Sequence, residues 1–88
     1  MITIGRYLKT KRFFSELTLL QVTHIAKDKY GYSTSTSVLS AIETDKNKII
    51  DGELLFVLSD IYDFDLNEFK EVILANISNI RERRKLNK

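Results

Sequence analysis

The residues best equipped for chemistry form one hydroxyl-rich run and its flanks. Ser33, Thr34, Ser35, Thr36 and Ser37 are consecutive, and Ser40 follows at helical spacing. A hydroxyl both donates and accepts a hydrogen bond, and a threonine methyl can touch a thymine methyl. Lys27, Lys29, Lys46 and Lys48 flank the run and can neutralise phosphates. The same hydroxyls also suit a solvated, capped loop, and the same lysines an ordinary wet surface.

Other constellations carry less. His24 is the only histidine and there is no cysteine. A disulfide framework, a cysteine-based zinc site and a His-rich metal centre are therefore excluded, and no metal or cofactor is expected. The carboxylates of the middle segment fit helix starts and polar faces, where capping and dipole effects account for them. Neither a phosphate-cradling glycine loop nor a nucleophile paired with its base is present. The chain is read as no enzyme.

Eighty-eight residues make one small domain. Fourteen Lys+Arg against twelve Asp+Glu leave a net charge of +2. That near-neutral total conceals three blocks. Residues 1–50 carry eight bases and four acids, for +4. Residues 51–75 carry one base and seven acids, for −6, and residues 76–88 five bases and one acid, for +4. The basic first half can approach a polyanion, which would repel the acidic middle. No apolar run nears the ~20 residues of a membrane span. The N-terminus lacks the basic-then-apolar layout of a secretory signal. A soluble, cytoplasmic protein with no membrane partner is expected.

Helical spacing recurs along the chain, with no alternation long enough for a strand. The spacing of Ile4, Tyr7, Leu8 and Arg12 predicts a first helix over 4–14, capped by Thr3 and broken at Ser15-Glu16. Thr18 caps a second, with Leu19, Val22, Ile25 and Ala26 inward and Gly31 as its stop. A third, over 35–44, buries Val38, Leu39 and Ile42. Asp51 caps a fourth holding Leu54, Leu55, Val57, Leu58 and Ile61. Asp65 and Glu68 form a capping box for a fifth that runs to about Leu86. The fold class is all-α.

Two short helices joined by a glycine-containing turn, the second with a polar face, suggest a helix-turn-helix. Four stretches sharpen this. Ile4-Gly5-Arg6-Tyr7-Leu8-Lys9-Thr10-Lys11-Arg12 resembles the first helix of the Cro/C1-type (XRE-like) DNA-binding domains. Leu17-Thr18-Leu19-Leu20-Gln21-Val22-Thr23 resembles the opening of that family's second helix, and Ser37-Val38-Leu39-Ser40-Ala41-Ile42-Glu43 its third. Leu54-Leu55 with Leu58, then residues 61–69, resemble the fourth helix and the entry to the fifth. The resemblance covers residues 2–72. It implies a lambda-repressor-like five-helix domain over 1–70 and a long C-terminal helix with a basic tail over 65–88. Departures are Leu19 where the family has glutamine, Thr23 where it has alanine, and Thr44-Asp45 where a glycine usually follows. The interval from Thr18 to Glu43 is also longer, with the excess in Lys27 to Thr34, where Tyr30 and Tyr32 form a distinct surface feature.

In such a unit the third helix enters the major groove. Thr34, Ser35, Thr36, Ser37 and Ser40 would then contact bases. Hydroxyls cannot make the two-pronged bonds that discriminate most strongly, so readout per residue should be modest. Thr18, Gln21, Lys27, Lys29, Lys46 and Lys48 would contact phosphates. If the four lysines engage, the salt slope is about −3.6. The resemblance also implies a structural salt bridge between Arg12 and Glu43. Leu66, Phe69, Ile73, Asn76 and Ile80 trace a coiled-coil seam. Phe69, Ile73, Asn76, Ile77 and Ile80 are the candidate dimerisation residues, although the helix could instead fold back on the core. The tail, Arg81-Glu82-Arg83-Arg84-Lys85, suits DNA backbone, an acidic partner or a frayed end.

The leading expectation is a sequence-specific DNA-binding transcriptional regulator, a homodimeric repressor on double-stranded DNA. The alternatives are the antitoxin of a toxin–antitoxin pair, with a protein partner on the C-terminal helix, and a protein-interaction module that reads no DNA.

Overall fold

The computed structural model describes residues 2–47 and 50–86, with side chains placed as far as Ile77. It is all-α: α1 spans Ile4–Phe14, α2 Leu19–Tyr30, α3 Thr36–Glu43, α4 Gly52–Ile61 and α5 Leu66–Leu86. The ends follow local chemistry. Thr3, Thr18 and Ser35 each turn a side-chain oxygen onto a first-turn N–H of α1, α2 and α3. Gly31 ends α2 at φ 65°, a left-handed conformation that costs glycine nothing. The Tyr32 N–H then returns to the Ala26 carbonyl at 3.0 Å.

Acidic residues take that left-handed position elsewhere. Glu16, Asp45 and Asp63 have φ of 57°, 60° and 54°. After α3, the Asp45 and Lys46 N–H groups reach back to Ile42 and Ala41 at 3.1 and 2.9 Å. This is a Schellman closure, and it recurs at Glu16-Leu17 and with Phe64 after Asp63.

α1 packs on α3 and α5, and α2 packs on α3 and α4. The core joins Tyr7 and Leu8 of α1, Val22 of α2, Leu39 and Ile42 of α3, and Leu54 and Leu58 of α4. Tyr62, Phe64 and Phe69 complete it. Phe64 meets Tyr7 edge-on at 5.5 Å, and Phe69 meets Tyr7 at the same separation. Burying a ring such as Phe69 contributes about 2–3 kcal/mol. The α1–α3 crossing is tight. A Cβ on Gly5 would lie 2.3 Å from the Ile42 carbonyl oxygen, so only glycine fits.

Several expectations need correction. Val38 is 42 % exposed, because the short α3 turns only Leu39 and Ile42 fully inward. Phe69 is 2 % exposed and belongs to the core, so it cannot meet a partner chain. The Asp51 carboxylate makes no cap bond and instead accepts from the Tyr32 hydroxyl at 2.9 Å. At α5, Asp65 accepts from the Asn67 N–H, while Glu68 pairs with Lys11 at 3.2 Å. Glu68 is thus drawn across to α1 instead of back to the cap.

Candidate nucleic-acid interface

Thr36, Ser37 and Ser40 are exposed on α3, opposite the buried Leu39 and Ile42. Spacings of one and four residues put them on one face. They share a surface groove of 510 Å³ with Leu19 of α2 and with Lys46. Ala41 and Thr44 line it too. Sequence reading missed these two, although Thr44 lies four residues beyond Ser40 and eight beyond Thr36. The Thr44 hydroxyl donates to the Ser40 carbonyl at 2.8 Å, so its methyl and the acceptor side of its oxygen remain to contact a ligand.

The hydroxyl run does not act as one surface. Ser35 caps α3, accepting from the Val38 N–H at 3.2 Å. Thr34 and Ser35 line a second groove of 640 Å³, with Tyr32, Val38 and Asp51. An acid at that wall makes it a poor seat for phosphate. The predicted base-contacting set therefore divides into Thr36, Ser37 and Ser40 on the first groove and Thr34 and Ser35 on the second.

The predicted phosphate contacts divide as well. Thr18 and Gln21 form a reciprocal capping box at the start of α2. The Gln21 side-chain oxygen accepts from the Thr18 N–H at 2.9 Å, and Thr18 Oγ1 accepts from the Gln21 N–H at 3.1 Å. This box commits one side-chain oxygen of each residue to the backbone. Helix starts still present N–H groups that favour an anion. Lys46 is exposed, sits on the α3 groove and has no ion pair among the described residues. Lys27 is exposed and donates to Ser33 Oγ at 3.2 Å. Lys29 is drawn to α4, 3.6 Å from Asp60, whose carboxylate also accepts from the Tyr30 hydroxyl. Tyr30, and behind it Asp60, raises the Lys29 ammonium above its ordinary value. Tyr30 and, after it, Lys29 hold Asp60 below the usual carboxylate value. Tyr30 and Tyr32 both bond acids flanking or within α4, so the surface feature expected in the turn is a double tie to that helix. Lys48 lies outside the described residues.

Arg12 and Glu43 support the face from behind. Arg12 Nε and Nη2 meet the two Glu43 oxygens at 2.8 and 3.0 Å. Arg12 Nη1 also donates to the Leu17 carbonyl at 2.9 Å. The side chains are 11 % and 7 % exposed, and the Glu43 bonds raise the Arg12 guanidinium further above its ordinary value. One guanidinium thus joins α1, the α1–α2 turn and the end of α3. Asp45 adds a second tie, accepting from the Thr3 hydroxyl at 2.6 Å and the Gly5 N–H at 3.0 Å. Thr23, where the resembled family has alanine, is buried and donates to the Leu20 carbonyl at 2.6 Å.

The proposed dimerisation residues separate along α5. Ile73 is half-buried against the core, and the Asn76 amide donates to the Ile2 and Val72 carbonyls at 3.2 and 2.7 Å. The early turns therefore fold back on α1. Leu74 and Ile77 are 46 % and 41 % exposed. The Ile80 side chain and the basic tail side chains lie outside the described ones. His24 is exposed on α2. Among the described residues no His, Cys, Asp and Glu cluster could hold a metal, and no helix is long and apolar enough to cross a membrane. No protein-family model, curated protein or solved structure matches the chain.

Proposed function

We propose that the chain is a sequence-specific DNA-binding regulator of the lambda-repressor-like helix-turn-helix type, with α3 as the helix that enters the major groove. One observation carries the reading. Thr36, Ser37 and Ser40 form an exposed hydroxyl face beside the capped start of α2, with Lys46 at its edge. Hydroxyls at that place suit base edges, and a lysine with a helix N-terminus suits the flanking phosphates. The Arg12–Glu43 pair and the Asp45 bonds to α1 favour it further, since they hold α3 rigidly against the domain.

The regulator acts as a homodimer on a two-fold site and represses by occupying it. Leu74 and Ile77 supply the exposed apolar edge of α5 for pairing. Lys46, Lys27 and the α2 start engage phosphate, and Lys29 contributes little because Asp60 already holds it. The test is a mobility-shift titration against the DNA upstream of the protein's own coding sequence, beside random DNA of equal length. Preferential binding supports the regulator. Equal affinity at every salt concentration would leave a protein-interaction module, reached through the same α5 edge.

A further inference from the structure

Two aromatic patches of opposite charge stand uncovered on this chain. Phe13 and Phe14, at the C-terminal end of α1, are 63 % and 80 % exposed. Phe56 on α4 is 62 % exposed. Phenylalanine is normally a buried anchor, so three left in water mark surfaces for contact. Their surroundings differ in sign. α1 carries four bases and no acid, whereas residues 51–63 carry four acids and no base. Lys9 Nζ lies 5.9 Å from the centre of the Phe13 ring. Lys9 is exposed and has no ion pair among the described residues, unlike Lys11 and Arg12 on the same helix. On α4, Glu53 lies three residues before Phe56 and Asp60 four after it, so both acids border that ring on one helix face. Glu53 is exposed and also without an ion pair among the described residues.

We infer that a second copy of this chain docks the end of its α1 on α4 of the first, with Phe13 and Phe14 packed about Phe56 and Lys9 paired with Glu53. A second copy is the fitting occupant because both halves of the complementary contact lie on this one sequence. α1 packs on α3 and α5, and α4 packs on α2, yet the three rings stay exposed. Asp60 is already held by Tyr30 and Lys29, which leaves Glu53 as the acid beside Phe56 without an ion pair among the described residues. The contact is heterologous. Each added copy offers a fresh patch, so copies either close into a ring, the smallest being a reciprocal pair, or extend as a filament. It stands independently of DNA binding, and its dependence on Lys9 and Glu53 separates it from a dimer paired through α5.

Sedimentation velocity across protein concentration, at low and high salt, tests this. The weight-average mass of the full chain should rise above that of a monomer at low salt and fall as salt screens the charges. Phe14→Ser and Phe56→Ser should each lower the association constant about tenfold or more. Both side chains are exposed, so circular dichroism melts should match the wild type. Lys9→Glu and Glu53→Lys should each weaken association, and the double variant should restore it. A mass that stays at monomer, single variants that associate like the wild type, or a double variant no better than the singles, would overturn the proposal.

Discussion

Removal of the Arg12 side chain would leave Glu43, with its side chain 7 % exposed, facing the interior without its cation. The turn carbonyl at Leu17 would lose its donor as well. Breaking a buried pair from one side costs more than the pair contributes, so Arg12→Ala should lose about 3 kcal/mol in urea unfolding. An unchanged midpoint would show the pair to be idle. The left-handed positions allow a finer contrast. A non-glycine residue there carries about 1–2 kcal/mol of strain. Glu16→Gly and Asp63→Gly should therefore be neutral or stabilising by up to about 1 kcal/mol, once the extra freedom of glycine in the unfolded chain is subtracted. Asp45→Gly should destabilise, because it also removes the bonds to Thr3 and Gly5. If all three shift the melting curve alike, the Asp45 side chain is doing nothing. The Arg12–Glu43 partnership was expected only through the family resemblance of the stretches that hold the two residues. The Asp45 tie was not, since its partners lie 40 and 42 positions away and no local pattern couples them.

The elements divide in the same way. The bounds of α1 and the stop of α2 at Gly31 follow from spacing, capping and glycine geometry, all local. Burial on α3 and α5 depends on what lies opposite, which is why Val38 emerges and Phe69 sinks. Phe69→Ala should cost about 3–5 kcal/mol. Ile77→Ser should leave stability within about 0.5 kcal/mol, as expected for an exposed site, while weakening the dimer in sedimentation. Equal unfolding penalties would return Ile77 to the core. The tie between α2 and α4 has a pH signature. Asp60 titrates below its ordinary value in the folded chain because Tyr30, then Lys29, favours its charged form. The stability this gives is present above the unfolded carboxylate value and lost as pH falls through the lowered folded one. The gap in urea midpoint between wild type and Asp60→Asn should therefore be open at neutral pH and close in acid. A gap that persists in acid would mean that the carboxylate charge is not what matters.

For the whole molecule, the distribution of charge matters more than its sum of +2. The candidate DNA face draws on the basic first fifty residues, and the acidic segment 51–75 gives α4 its own acids. On the proposed reading, that asymmetry would orient the domain toward DNA and limit how many lysines reach phosphate. With Lys29 engaged by Asp60, Lys46 becomes the most informative single cation. The most direct test is a salt-dependent binding titration on the upstream DNA and on random DNA, with wild type, Ser40→Ala and Lys46→Ala. Wild type should prefer the upstream DNA. Ser40→Ala should lose about fivefold on that DNA and little on random DNA, about 1 kcal/mol for one hydrogen bond. Lys46→Ala should weaken both and reduce the salt slope by about 0.9. Wild-type binding without preference, or both variants indistinguishable from wild type, would contradict α3 as the reading helix.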